Sequence, residues 1–263
     1  LVWNDKRMKS AKHHSSDDGR IFSDEVGLVD GPLVVLIHGS LDRSAGMLRL
    51  SRQLHDVARV LRYDRRGYAK SWPHPGPFAV ANQVADLSDL LAGRSAVLIG
   101  HSYGGNVALA AAQVMGHQIK GVTTYETPLS WFDWWPGTTA GSISVASHVD
   151  DAAEAFMVRL IGLERWNALP ERTKTERRRE GEALVGELSS LRESPPWEAS
   201  NINTPLLCGY GTRGSAHHAD GARWLTSNIS NSSLACIDGA GHNAHMTHSA
   251  EFSRLLVRPH LDG

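Results

Sequence analysis

Only two cysteines, Cys208 and Cys236, occur in 263 residues. That scarcity excludes a disulfide framework, and because each lies in an apolar, strand-like run, both are expected to be reduced, buried thiols of a cytoplasmic protein. Charge of one sign is lacking too, with Lys plus Arg at 27 and Asp plus Glu at 28. Such a balance offers little to nucleic acid or to an anionic membrane surface, and a small-molecule substrate is the expected partner. No apolar run approaches the roughly 18 residues of a spanning helix, and the first thirty residues are too charged for a signal peptide. The chain therefore reads as soluble, with no membrane span; a homodimer is compatible with it. Internal repeats, a phosphate cradle, a dinucleotide fingerprint and a metal-ligand set are all missing, so neither cofactor nor metal is expected. The one charge-dense stretch, ERTKTERRRE at 171–180, mixes its signs at helical spacing and predicts a solvated helix face.

What is present is an alternation of strand and helix patterns. Residues 1–18 are polar and irregular, either a loose arm or a poorly marked first strand. From Gly31 onward, PLVVLIHG predicts a buried strand, 44–56 a helix, and ARVLRYD a second strand. FAVANQVADLSDLLAG predicts a helix closed by Gly93, SAVLIG a strand, the segment after Ser102 a helix, and IKGVTTY a strand. After Tyr125 the character changes, because 127–200 is first tryptophan-rich and then strongly charged, with no apolar strand run. These residues predict an inserted helical lid, with helices over 149–166 and 171–192 ended by Ser194, Pro195 and Pro196. The alternation resumes with PLLCGYG, a helix over 219–228, SLACIDG and a last helix over 249–257. One α/β core over 1–126 and 201–263, with a mostly parallel sheet flanked by helices, follows from this order.

Residues 95–108, SAVLIGHSYGGNVA, carry the sharpest chemical signal. A strand pattern, Gly-x-Ser-x-Gly and a small-residue helix pattern together predict a nucleophile elbow centred on Ser102. Such a turn strains its central residue and leaves no room for side chains two residues to either side, a demand that Gly100 and Gly104 meet. The helix begun at Tyr103 would then aim its N-terminal amides at the serine oxygen, where charge develops during acyl transfer.

Four motifs in order, HGS at 38–40, YDRRGYAKS at 63–71, GHSYGG at 100–105 and GAGH at 239–242, resemble the α/β-hydrolase superfamily, in its lidded serine-hydrolase form. The resemblance spans roughly residues 19–260 and implies the α/β-hydrolase fold. It places the catalytic histidine at His242, after the strand SLACIDG, within reach of Ser102. The chain has 14 histidines. His245 and His248 follow His242 at three-residue steps, but HNAHMTH lacks an accompanying carboxylate or cysteine set for a metal. His38 and His101 are expected to be structural, His38 orienting the oxyanion loop. In the commonest pattern of the family the acid stands just beyond the strand written here as PLLCGY, yet GTRGSAHH follows. Some members carry the acid at the end of the preceding strand, which here runs into Glu126; Glu126 is thus the expected acid, with Asp220 the alternative. Asp64 is expected to pair with Arg65 or Arg66.

The resemblance also implies an oxyanion hole from the backbone amides of Ser40 and Tyr103, with the Ser40 hydroxyl a candidate third donor. Trp131, Phe132, Trp134 and Trp135 either line an apolar substrate pocket or anchor the lid; Trp72 and Trp224 are expected to pack. The expected activity is carboxylesterase-like: hydrolysis of an ester or thioester of a small, partly apolar substrate through an acyl-enzyme. The family also admits carbon-carbon bond hydrolases, cofactor-free lyases and perhydrolases, as well as non-catalytic ligand-binding or receptor-like members. Relatives that open halides or epoxides use Asp at the position of Ser102.

Overall fold

The computed structural model describes residues 7–13, 20–137 and 148–262. Apolar runs become the interior strands β3 (Leu33–Ile37), β4 (Arg59–Tyr63), β5 (Ala96–His101), β6 (Ile119–Tyr125) and β7 (Leu206–Gly211). Their near-continuous hydrophobicity has a simple cause: neighbouring strands are parallel, joined by helices that cover both faces, so neither face meets water. Val35 and Ile37 belong to one core cluster and Val34 and Leu36 to the other, the two-residue period of a strand buried on both sides.

Three further strands complete an eight-stranded sheet: β1 (Arg7–His13), β2 (Ser23–Leu28) and β8 (Ser232–Ile237), in the order β1-β2-β4-β3-β5-β6-β7-β8. β1 pairs with β2, and β2 with β4, antiparallel; the remaining pairs are parallel. The 1–18 segment thus contributes a first strand over its described residues. β2 escapes sequence reading because its buried face is the polar one, with Ser23 and Glu25 inside. Glu25 is compensated there by Arg59 and Arg94. β8 is an edge strand, which leaves Cys236 exposed instead of buried as expected, whereas Cys208 in β7 is buried and burial pushes its thiol up to about 11.

The helices are α1 (Leu48–Arg52), α2 (Val80–Leu91), α3 (Tyr103–Met115), α4 (Val149–Ile161), α5 (Leu163–Asn167), α6 (Glu171–Arg178), α7 (Gly181–Glu193), α8 (Ala216–Asn228), α9 (Ala244–Thr247) and α10 (Ser249–Phe252). α2 buries Val80, Val84, Leu87 and Leu91, the stripe expected of a helix lying on a sheet. The helix expected over 44–56 is helical only over α1. The backbone of Ser44 is committed elsewhere, its N–H to Asp64 and its carbonyl to Arg62, so the chain enters α1 through turns. The helix expected over 149–166 breaks at Gly162, whose φ of 86° lies in the left-handed region. That expected over 171–192 breaks between α6 and α7, where Glu180 turns inward. The last helix passes from α10 into a π turn over Ser253–Val257.

Parallel register aligns the strand ends. Gly100 of β5 pairs with Thr124 of β6, Tyr125 with Gly209 of β7, and Gly211 with Ile237 of β8. The loops after β3, β5, β6, β7 and β8 therefore meet at one edge, the edge at which open α/β sheets place their ligands.

Candidate active site

Ser102 stands between β5 and α3 with φ 52° and ψ −125°, a conformation costing on the order of 1–3 kcal/mol for a residue with a side chain. Its N–H donates to Tyr125 O at 2.8 Å and its carbonyl accepts from Gly105 N at 2.9 Å, so hydrogen bonds hold the turn on both sides. The glycine requirement is steric. A Cβ on Gly104 would stand 2.3 Å from Ile37 O, and α3 could not approach β3.

Glu126 follows β6 directly and has a positive φ of 48°. The carboxylate is buried. Its Oε1 accepts from Gly211 N at 3.1 Å, and its Oε2 lies 2.8 Å from His242 Nδ1. The absent carboxylate after β7 now has a geometric counterpart, since a Cβ on Gly214 would stand 2.2 Å from Glu126 Oε1. Burial works against charge on Glu126, yet the close approach of the His218 and His242 rings to its Oε2 outweighs it and holds the carboxyl well below the usual range. Asp220, the alternative acid, pairs with Arg223 at 2.9 Å on the exposed side of α8, and is not brought to His242.

The loop bearing His242 is fixed by its neighbours. Tyr125 Oη donates to Gly241 O at 3.0 Å, Arg213 N donates to Ala240 O at 2.8 Å, and His101 Nε2 lies 2.8 Å from His242 O. His101 thus has the structural role expected of it. His218 was not anticipated. It stacks on His242, with ring centroids 4.9 Å apart and planes at 17°, and its Nδ1 lies 3.0 Å from Glu126 Oε2 without the alignment of a hydrogen bond. Burial pushes His218 down to about 4 against the raising pull of Glu126. The signal in the sequence was the His-His pair placed where an acid is usually sought.

Around the loop after β3, His38 is buried and serves as a bracket: Nδ1 lies 2.8 Å from Gly39 O and Nε2 accepts from Arg65 N at 2.9 Å. Burial, with the nearby Arg65, pushes it down to about 3, so it is neutral. Tyr103 opens α3, and its amide has no intrahelical acceptor. The Ser40 hydroxyl is not free to act as a third oxyanion donor, because it donates to Glu187 Oε1 of α7 at 2.5 Å. The arginines of the YDRRG motif pair differently from expectation. Arg65 meets Glu187 at 2.6 Å and Arg66 meets Asp86 at 2.7 Å, while Asp64 accepts the backbone N–H groups of Ser44 and Lys70.

A cavity of about 820 Å³ opens over these loops, lined by Ser40, Ser102, Glu126, His218 and His242 from the strand ends and by Phe156 and Leu188 of α4 and α7, among others. Of the tryptophans expected at a pocket, only Trp135 lines it. Trp131 packs edge-on against Trp197 at 5.3 Å, and Trp134 lies over Phe132 and is 43% exposed, so these two pack among aromatic neighbours. Trp224 packs on Phe132 as expected, whereas Trp72 is largely exposed beneath Arg179.

Among solved structures, a hydrolase from Pseudomonas aeruginosa is similar at TM-score 0.77 and 23% identity, over 97% of this chain and 99% of that one. The enol-lactonase from Burkholderia xenovorans gives 0.76 and 20% over 95% and 100%, and a thermophilic esterase from Thermogutta terrifontis gives 0.69 and 21% over 97% and 100%. At these identities the likeness is one of fold. A search of curated proteins by sequence returned no significant match. The profile described as the alpha/beta hydrolase family matches residues 34–255, most of the chain, and the protein belongs to that family.

Proposed function

We propose that the protein is a carboxylesterase-like serine hydrolase acting on an ester or thioester of a small, partly apolar substrate. The observation that carries this is the 2.8 Å contact of His242 Nδ1 with Glu126, in a cavity that Ser102 also lines. Glu126 accepts a hydrogen bond from His242 Nδ1–H, which leaves Nε2 of His242 as the base for Ser102. Ser102 Oγ attacks the carbonyl carbon while His242 takes its proton, and the oxyanion is held by the amides of Ser40 and Tyr103. His242 returns the proton to the departing alcohol or thiol as the carbonyl–heteroatom bond breaks. Water, deprotonated by His242, then attacks the acyl carbonyl, and as the bond to Ser102 Oγ breaks His242 returns that proton to Oγ and the acid is released. Residues 127–200 act as a lid in this reading, which is supported by Phe156 and Leu188 lining the same cavity as Ser102 and His242. Its volume suits a small ligand. The names of two structurally similar proteins, esterase and enol-lactonase, agree with this class.

A fluorophosphonate probe tests the nucleophile. Wild type is expected to be labelled at Ser102 and Ser102→Ala to be blank; a folded wild type that stays unlabelled would overturn the enzyme reading. Turnover of p-nitrophenyl esters tests the acid, with Glu126→Gln expected to lose on the order of 10³–10⁴-fold in kcat and Asp220→Asn to keep wild-type rates.

A further inference from the structure

Beside this site, three side chains from a loop, a strand end and a helix converge on a point the proposed mechanism does not use. Asp42 follows the Ser40 turn, His101 ends β5 and His245 lies in α9, and one ligand-capable atom of each lies within 4.8 Å of the others. Both histidines are buried, His101 at 4% exposure and His245 at 0%. Neither ring nitrogen of His245, nor Nδ1 of His101, has a hydrogen-bond partner. Unmatched imidazole nitrogens in one buried place are unusual, because their lost hydration stays uncompensated; His245 Nδ1 and His101 Nδ1 have no partner, and His245 Nε2 has only the Asp42 carboxylate at 3.5 Å.

We propose that Asp42, His101 and His245 form a binding site for one divalent transition-metal ion of the zinc class. Two histidines and a carboxylate are a zinc donor set with a fourth position left for water. His245 Nε2 stands 3.5 Å from Asp42 Oδ2, too long for a good hydrogen bond. It is close to the edge of a tetrahedron whose bonds are about 2.1 Å, which is about 3.4 Å. His101 is already oriented for the task. Its Nε2 faces the carbonyl of His242 at 2.8 Å, the outer bond a metal-ligating histidine commonly makes, and this leaves the Nδ1 lone pair pointing elsewhere. Room for the carboxylate comes from Gly46, where a Cβ would stand 2.3 Å from Asp42 Oδ1. The HNAHMTH segment lacks a carboxylate along the chain; the fold brings one from 203 residues upstream of His245. A bound ion would staple the Ser40 loop, the end of β5 and the loop after His242 to one another.

The test is metal titration of the chelator-stripped full chain. Zinc is expected to be retained at one ion per chain after gel filtration, to raise the Tm, and to be replaceable by Co²⁺ with the visible absorption of a four-coordinate site. Asp42→Asn and His245→Gln are each expected to weaken retention at least tenfold. Glu126→Gln and His218→Gln are expected to bind as wild type does, which separates this site from the Glu126, His218 and His242 group with its similar donors. Asp42 is partly exposed, so its variant carries the comparison should His245→Gln fail to fold. A wild-type protein that retains no zinc, or retention that survives Asp42→Asn, would overturn the proposal.

Discussion

The family resemblance leads one to seek a carboxylate where Gly214 or Ser215 stands, and Glu126 fills the space that the missing side chain of Gly214 leaves. The two residues are coupled by 2.2 Å of geometry, and a prediction follows at this scale. Gly214→Ala should push the Glu126 carboxylate off His242 and lower kcat by about tenfold to a hundredfold, with the fold intact, because displacements near 1 Å cost that much in an oriented site. Steady-state kinetics on a p-nitrophenyl ester, with circular dichroism as the folding control, reads it; an unchanged kcat would remove Glu126 from the proposed triad. Ser102, His242 and Glu126 became candidates because each sits in or beside a motif of the family resemblance. His218 was not, since nothing in SAHH says that the second histidine will lie over His242 while the first packs against Trp135 at 4.8 Å.

At the scale of elements, α7 is pegged to the sheet by Glu187. Its carboxylate meets Arg65 at 2.6 Å, accepts from Tyr68 Oη at 2.8 Å and receives the Ser40 hydroxyl, so one side chain joins α7 to the loops after β3 and β4. Arg65 and Glu187 are both buried, and removing one partner leaves the other charge stranded. Glu187→Gln should therefore cost about 3–5 kcal/mol, roughly 6–20 °C in Tm for a chain of this size, and calorimetry will read the shift. A loss under 2 °C would show that the peg is not coupled to global unfolding. The 171–180 run is half-buried or exposed along its helix, as a solvated face should be, except at its last residue. Glu180 is buried, holding Arg43 at 3.2 Å and accepting from Ala69 N at 2.9 Å. Helical spacing identifies a charged face but not which of its members turns toward a neighbour.

For the molecule as a whole, burial of neutral imidazole sets the direction of acid sensitivity. His218 is faced by Glu126 from the end of β6, by His242 from the loop after β8, by His217 on its own helix and by the ring of Trp135. Its pKa is pushed down to about 4, from about 6.5 in the unfolded chain, so between these values the unfolded state binds a proton that the folded state does not. Stability then falls as pH falls through this window, by about 2 kcal/mol from pH 7 to pH 5. Glu126 adds to the same trend lower down, since the stabilisation from its depressed pKa is present above about 4.3 and fades below it. Urea midpoints at pH 7 and pH 5 measure the first effect, and His218→Asn should remove most of it. Equal losses in the variant and the wild type would place the proton elsewhere.

Periodicity, a property of neighbours along the chain, determined by itself the strand–helix alternation and the strand-to-helix turn at Ser102, whereas the choice of His242 and Glu126 came from the family resemblance that the motifs carry. Where a segment's own apolar pattern drives its burial, as in β3, β5 and α2, the sequence was enough. Only the tertiary structure decided what depends on residues far apart: the polar inner face of β2, the partners of Arg65 and Arg66, the inward turn of Glu180 and Glu187, His218 over His242, and Asp42 beside His101 and His245. The physical reason is common to all of these. A buried polar group is tolerable only when another group satisfies it, and in this fold that second group arrives from a different strand end.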